Sequence, residues 1–174
     1  MNEVETAPAQ LTTANDRVQA TFVRRLDHST DRVWAALTRP EWLANWLAPG
    51  EVQPRYGGSA RLNFVNSGIL VDSTVTWCRP RRLLEYSWSG PGEPQRPVRW
   101  RLWPTGRSCT DLSLRLSLPA EEDVAKGFAG WDAHLEMLAA ALEGVAAKFP
   151  YEHFKARRAH YAERLMLAET LAAA

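Results

Sequence analysis

Hydrophobic and polar residues alternate in six segments of the chain, which is the pattern of β-strands that bury one face. Turn residues bound these segments, and the loop 90–97 is too rich in glycine and proline for regular structure. Short connections between the last five segments predict a meander of antiparallel hairpins. Residues 1–15 lack a comparable pattern and are predicted to be disordered. The predicted strands span residues 17–26, 59–64, 68–78, 82–89, 98–103 and 110–118.

Two short helices are predicted between the first and second strands. Ser29 or Thr30 can cap the first helix, which is expected to end near Thr38 because the residue before a proline avoids helical angles. Pro40 suits the first turn of the second helix, which covers residues 40–47. Each helix carries an apolar stripe, so both are expected to pack on the rest of the domain.

A longer helix is predicted over roughly residues 121–144, and a separate helix follows Pro150. The long helix has one apolar stripe, formed by Phe128, Trp131, Leu135, Leu138 and Leu142. The final helix has only a partial stripe, so it needs a surface to dock on, either the domain or a second copy of the chain. The predicted organisation is a disordered segment 1–15, a domain 16–146 and a helical extension 147–174.

Five segments together are similar to sequences of a known superfamily. They are VWAALTRPEWLANWL, GGSARLNF, TVTWCRPRRLLEYSW, TDLSLRL and GWDAHLEMLAAAL, and they occur in this order within residues 17–146. In these segments the chain resembles the SRPBCC (START-like) superfamily, and more closely its branch named for the activator of the ATPase of heat-shock protein 90. It departs from the usual pattern at TWCRP, where an acidic residue is common, and in the helix after Pro150.

The resemblance implies an α+β helix-grip fold. In this fold a curved antiparallel β-sheet wraps around a long C-terminal helix, two short helices follow the first strand, and a deep cavity lies between the sheet and the long helix. Members of the superfamily include carriers of lipids and other hydrophobic ligands, aromatic polyketide cyclases and chaperone activators. The resemblance therefore specifies the fold and leaves the function open among these classes.

The chain contains eight tryptophans, and their predicted positions indicate a ligand cavity. Trp34 is expected in the core, whereas Trp42 and Trp46 are expected where the short helices meet the mouth of the cavity. A filled interior rarely needs many indoles, because each buried N–H requires a partner. The predicted inward faces carry four further tryptophans, which favour an aromatic-lined pocket: Trp77, Trp88, Trp100 and Trp131.

A ligand site is predicted from the residues that share these inward faces. His134 is able to orient a ligand or to act as a base near neutral pH, and Tyr86 is able to donate a hydrogen bond. Neither has a recognisable orienting carboxylate, so no catalytic residue is assigned. The predicted ligand-binding residues are Trp42, Trp46, Val71, Ser73, Trp77, Tyr86, Trp88, Trp100, Leu114, Trp131, His134, Leu135 and Leu138.

Charge and motifs narrow the classes of partner. The net charge of +1, from 21 basic and 20 acidic residues, argues against nucleic-acid binding. No run of 18 apolar residues is present, which argues against a membrane partner, and the polar N-terminal stretch lacks the features of a secretion signal, so a cytoplasmic protein is expected. Neither a phosphate-binding loop nor a G-x-S-x-G or H-E-x-x-H motif occurs, and no metal or cofactor is expected.

Three functions follow from these observations. The first is a non-catalytic protein that binds a small hydrophobic or aromatic molecule in the cavity. The second is an enzyme of the cyclase or hydrolase type that uses the same cavity with His134 or Tyr86. The third is a module that interacts with a chaperone. A homodimer is compatible with each of them.

The two cysteines are predicted to be free thiols. Cys78 ends the third predicted strand and Cys109 begins the sixth. Three strand spacings of about 4.8 Å place them roughly 14 Å apart, beyond the limit of about 7 Å for a disulfide. Thiol titration of the unfolded protein without reductant should therefore count two thiols per chain. A count of zero in monomeric protein would contradict the predicted order of strands.

Overall fold

A computed structural model describes residues 6–65 and 67–172 of the chain. Helices and strands alternate in the order expected of an α+β protein, with a long helix near the C-terminus. The elements are β1 (Gln10–Ala14), β2 (Arg17–Leu26), α1 (Thr30–Thr38), α2 (Pro40–Trp46), β3 (Gly50–Val52), β4 (Ser59–Phe64), β5 (Ile69–Thr74), β6 (Trp77–Arg79), β7 (Leu83–Ser87), β8 (Pro97–Gly106), β9 (Cys109–Pro119), α3 (Val124–Leu142) and α4 (Tyr151–Ala172).

The strands form two antiparallel sheets that together curve around α3. The larger sheet has the order β1-β2-β9-β8-β7-β6, and the smaller has the order β3-β4-β5. Helix α3 packs on β2 and β9 at the centre of the larger sheet and also contacts α1 and α2. This arrangement is the α+β helix-grip fold, and it confirms the fold class predicted from the sequence.

Alternating burial produces the core as the sequence pattern indicates. In β9 the side chains of Leu112, Leu114 and Leu116 are all fully buried, and the polar residues between them point to the other face. Most of the predicted apolar stripe of α3 meets these side chains. Trp46 and Trp100 pack edge to face at 6.1 Å between ring centroids. The core therefore lies between the larger sheet, the short helices and the buried face of α3.

The helix caps also agree with the prediction. The hydroxyl of Ser29 accepts a hydrogen bond from the Arg32 N–H at 3.3 Å, which satisfies one free donor at the start of α1. Pro40 occupies the first turn of α2. The indole N–H of Trp46 then donates to the Ala36 carbonyl at 2.8 Å and ties α2 to α1. Trp34, predicted to lie in the core, is half-buried against it.

The predicted disorder of residues 1–15 is wrong for part of that segment. Residues 10–14 form β1, which pairs with β2 from Gln10 opposite Thr21 to Ala14 opposite Arg17. All five side chains of β1 are at least partly exposed, so the strand has no hydrophobic alternation by which to recognise it. Its backbone hydrogen bonds to β2 supply the order instead. Residues 1–5 lie outside the described residues.

The predicted single strand 68–78 is also wrong, because it divides between the two sheets. Strand β5 belongs to the smaller sheet and β6 to the larger one. At the crossing, Val75 N–H donates to the Gly58 carbonyl and Thr76 N–H donates to the Glu85 carbonyl. The alternation restarts there, so Trp77 lies on the outer face, 44% exposed and 5.2 Å from the guanidinium carbon of Arg99.

Cys78 and Cys109 lie on β6 and β9, and β7 and β8 separate these strands in the sheet. Both cysteines are free, as predicted. Within the described parts of the chain, no helix combines the length and the hydropathy that crossing a bilayer requires.

The C-terminal helix docks on the same chain through a buried carboxylate. Asp132 of α3 is fully buried, and its two oxygens receive hydrogen bonds of 2.6 Å from Arg24 of β2 and from the hydroxyl of Tyr161 of α4. The guanidinium of Arg157 lies 3.3 Å from the same carboxylate. The Tyr161 hydroxyl also accepts the Ala9 N–H at 3.0 Å. These contacts join α4 to α3, β2 and the N-terminal segment.

Replacing Tyr161 with phenylalanine should destabilise the protein. The change deprives the Ala9 N–H and the Asp132 carboxylate of one partner each, and such losses cost about 1–3 kcal/mol in buried sites. Urea unfolding of Tyr161→Phe should show this loss. The control is Tyr151→Phe, because Tyr151 is 60% exposed on the same helix. Equal unfolding midpoints for the two variants would contradict a role for the hydroxyl.

Candidate ligand-binding cavity

A cavity of about 910 Å³ lies between the N-terminal half of α3 and the smaller sheet. This volume is within the range of about 300–1,000 Å³ that is usual for small-molecule sites. The end of α2, the C-terminal end of β9 and the segment from the end of α3 into α4 complete its walls. Its larger apolar lining residues include Leu47, Phe64, Ile69, Leu70, Val71, Trp88, Leu116, Leu118, Trp131, Phe149 and Phe154.

Aromatic rings dominate one wall of the cavity. Trp88 packs edge to face on Trp131 at 4.6 Å between centroids, and Phe64 packs on Trp88 at 5.5 Å. On the α4 side, Phe149 and Phe154 lie 5.6 Å apart. Edge-to-face packing leaves ring faces and edges available to a further aromatic group. The wall is therefore suited to an aromatic or other flat apolar molecule.

Two glycines shape the helical wall. A Cβ atom built on Gly130 meets no other atom within 4 Å, whereas one built on Gly127 would lie 2.6 Å from the Leu118 side chain. Glycine inside a helix costs about 1 kcal/mol relative to alanine. Both glycines line the cavity: Gly127 permits the close approach of Leu118 of β9, and the missing side chain of Gly130 leaves space beside the backbone of α3.

His134 presents a hydrogen-bond acceptor to the cavity. Its Nδ1 lies 3.1 Å from the backbone oxygen of Trp46, and because a carbonyl only accepts, Nδ1 carries the hydrogen. Burial lowers the pKa of His134 below its ordinary value of 6.5, and this hydrogen bond opposes the shift only in part. The ring is neutral at pH 7, so Nε2 keeps its lone pair. Among residues 6–65 and 67–172, Nε2 has no hydrogen-bond partner.

The opposite end of the cavity is charged. Arg96 donates to both carboxylate oxygens of Glu122 at 2.9 and 3.0 Å and to Glu93 at 2.8 Å. The pKa of Glu93 is lowered, first by the Gly90 N–H and then by Arg96. The two carboxylates outnumber the single arginine charge, and Asp123 and Lys126 add one further group of each sign to this end. The cavity thus has an apolar body with polar groups at its ends.

A cluster of possible metal ligands lies outside the cavity. Asp132, Glu136 and His153 bring ligand atoms within 4.8 Å of one another. However, Arg24 and Arg157 already pair with the Asp132 carboxylate. Two guanidinium groups beside a carboxylate oppose the binding of a cation. The cluster is explained by the docking of α4.

Four of the predicted ligand-binding residues line the cavity: Val71, Trp88, Trp131 and His134. Six others lie in the solid core on the same inward faces, without reaching the cavity: Trp46, Tyr86, Trp100, Leu114, Leu135 and Leu138. Burial raises the pKa of Tyr86, so its hydroxyl stays protonated. Strand alternation predicts which face a side chain occupies, but it does not predict where along that face the core ends and the cavity begins.

Three predicted residues lie elsewhere. Ser73 donates to the Ser87 carbonyl at 2.7 Å and links β5 to β7. Trp42 is half-buried beside Arg32, whose guanidinium carbon is 5.0 Å from its ring. Trp77 lies on the outer face, as described above. None of these three lines the cavity.

The sequence analysis missed several lining residues. Phe149 and Phe154 reach the cavity only because α4 folds back on α3, so no local pattern indicates them. Phe64 ends β4 and is half-buried. The pair Gly127 and Gly130 did carry a signal, because two glycines on one side of a long amphipathic helix indicate a close approach or an open space.

Comparison with known families agrees with this geometry. Residues 27–143 match the family described as "Activator of Hsp90 ATPase homolog 1-like protein". The chain belongs to this family. Its SRPBCC-type fold, inferred above from sequence resemblance, is confirmed. The fold is a ligand-binding one. None of the curated proteins matches the chain.

Solved structures with similar folds include proteins from several bacteria. EF2215 from Enterococcus faecalis, a conserved protein of unknown function, is 21% identical with a TM-score of 0.77, and the match covers 91% of this chain and 90% of that one. CalU16 from Micromonospora echinospora is 24% identical with a TM-score of 0.71 over 90% and 93% of the two chains. DynU16, a protein in the dynemicin biosynthetic locus, is 31% identical with a TM-score of 0.63 over 76% and 49%.

The state of His134 predicts a pH dependence of stability. Its pKa is lower in the folded than in the unfolded protein, so the unfolded ring takes up a proton first as the pH falls. The contribution of His134 to the free energy of unfolding should be fully present above pH 6.5 and should be lost as the pH falls below that value. Denaturant unfolding from pH 7 to about 5 should show a larger decline for wild type than for His134→Gln. Identical declines in the stability of wild type and His134→Gln would contradict a lowered pKa of His134.

Proposed function

We propose that the protein binds one small hydrophobic, aromatic molecule in the cavity between α3 and the smaller sheet and does not change it chemically. The observation that carries this proposal is the aromatic wall of a cavity of about 910 Å³. Transfer of an apolar molecule from water into this space is favourable by a free energy of about 25 cal/mol for each Å² of apolar surface buried. The few polar groups at the two ends would fix its orientation.

The comparisons support a small-molecule partner. The family has a ligand-binding fold, and the structural relative DynU16 is a protein in a biosynthetic locus. A biosynthetic locus is a setting in which small organic molecules are made. The likeness supports the chemical class of the partner, and the lining of the cavity supports its aromatic character.

The alternative of a cyclase- or hydrolase-type enzyme rests on His134. A neutral imidazole in an apolar cavity is able to accept a proton. However, its Nδ1 bonds to a main-chain carbonyl, which stabilises an imidazolium less well than the carboxylate found in many catalytic sites. We therefore favour binding. Mass spectrometry of molecules that co-purify with the protein, before and after incubation, separates the two functions, since an enzyme changes their mass.

The family description also suggests action on a chaperone ATPase. Such an activity needs an exposed contact surface and makes no use of an apolar cavity. An ATPase assay with heat-shock protein 90 tests this alternative directly. Stimulation that persists when the cavity is filled by a bulky side chain would favour the chaperone function over ligand binding.

Binding of a fluorescent probe with an apolar aromatic body tests the proposal. Anilinonaphthalene sulfonate should bind saturably with about one molecule per chain and quench the cavity tryptophans. Trp88→Ala removes an aromatic wall and should weaken binding by about 10-fold or more, since burying such a side chain is worth about 1.5–3 kcal/mol. The matched control is Trp103→Ala, because Trp103 is exposed on the outer face of β8.

A second variant tests the cavity itself. Gly130→Leu places an isobutyl group where a Cβ meets no neighbour, so the variant should fold but fail to bind the probe. Its melting temperature serves as the check on folding. Failure of the wild type to bind the probe, or equal effects of Trp88→Ala and Trp103→Ala, would contradict the proposed function.

A further inference from the structure

We infer that the ligand carries a hydroxyl or N–H donor on its aromatic framework and donates this hydrogen to Nε2 of His134. The inference rests on the proposed function, because it concerns the same cavity. It narrows the ligand from an apolar aromatic molecule to a phenol or a compound of similar donor chemistry.

The main chain fixes which nitrogen of His134 is free. Its Nδ1 donates to the Trp46 carbonyl at 3.1 Å, and this bond also fixes the orientation of the ring. In neutral imidazole the other nitrogen is then an acceptor. The lowered pKa of the partly buried ring favours this state at neutral pH. A ligand at this position therefore meets a lone pair and no donor on the imidazole.

Aromatic rings surround the imidazole of His134 at its end of the cavity. The rings of Phe64, Trp131 and Phe149 lie 5.7, 6.4 and 5.6 Å from the imidazole between centroids. An acceptor that loses its contact with water inside an aromatic site costs free energy unless a donor replaces that water. A ligand carboxylate or carbonyl cannot supply one, whereas a phenolic hydroxyl can.

The hydrogen bond would also set the direction of the ligand. Lys126 and His134 lie eight residues apart on α3, which corresponds to about 12 Å along the helix. The donor would lie at the His134 end, and the remainder of the molecule would extend past Gly130 toward the charged end at Arg96. The space beside Gly130 permits this path along the helix backbone.

Three related probes test the inference on the wild-type protein. They are 2-naphthol, which has the donor, 2-methoxynaphthalene, in which a methyl group replaces the hydrogen, and naphthalene, which has no oxygen. We expect 2-naphthol to bind about 10-fold more tightly than the other two in titrations followed by tryptophan fluorescence, since one satisfied buried hydrogen bond supplies a difference of this order.

Two matched variants assign the preference to His134. His134→Phe keeps an aromatic ring without the acceptor, so the preference for 2-naphthol should disappear. His28→Phe makes the same change at a surface histidine that contacts Glu143, and it should keep the preference. Long-range proton–nitrogen spectra of wild type supply a second readout, because 2-naphthol should shift the Nε2 resonance of His134 and leave Nδ1 nearly unchanged.

The outcomes separate this inference from the proposed function. Equal affinity of wild type for 2-naphthol and 2-methoxynaphthalene would overturn the inference and leave the proposed function standing. A preference that persists in folded His134→Phe would also overturn it. If none of the three probes binds the wild type, the inference and the proposed function both fail.

Discussion

The buried carboxylate of Asp132 determines how the last third of the chain is arranged. A carboxylate without water is tolerated only when opposite charges and hydrogen-bond donors surround it. Those groups come from β2 and α4, through Arg24, Arg157 and Tyr161. Removing one of these partners deprives the buried carboxylate of a hydrogen bond or an ion pair, so other positions of α4 on the domain are disfavoured. This constraint also brings Phe149 and Phe154 to the cavity, although they lie outside the strands and α3 that form the rest of the fold.

Helix α3 divides the interior between core and cavity. Its C-terminal half carries leucines that pack on the larger sheet, whereas its N-terminal half buries Phe128 in the core and presents Gly130 and Trp131 to the cavity. The smaller sheet forms the facing wall. The Asp72 N–H donates to the Ser89 carbonyl, and Ser73 donates to Ser87, so β5 stays attached beside β7. The cavity therefore lies between α3, which packs on the larger sheet, and the smaller sheet, which is attached beside β7.

The sequence predicted most of the elements and only part of the cavity, for identifiable physical reasons. Strands such as β2 and β9 bury one full face, so alternation indicates them directly. Strand β1 is ordered by backbone pairing with β2, and this pairing requires no alternation of hydrophobic and polar side chains in the sequence. The position of Trp77 depended on a crossing between sheets at Val75 and Thr76, where the period of two is broken. His134 was identified as a candidate, but its acceptor state depends on a carbonyl 88 residues away in sequence.

The contribution of α4 to the cavity wall has a consequence for the energetics of the whole molecule. Since Phe149 and Phe154 line the cavity, a ligand that contacts them binds more tightly when α4 is docked than when it is detached. By thermodynamic reciprocity, an occupied cavity must hold α4 in place by the same factor. The linker from Gly144, with φ of 76°, to Pro150 is where such a detachment would pivot. Under the proposed function, filling of the cavity would therefore increase the protection of the C-terminal helix from hydrogen exchange and proteases.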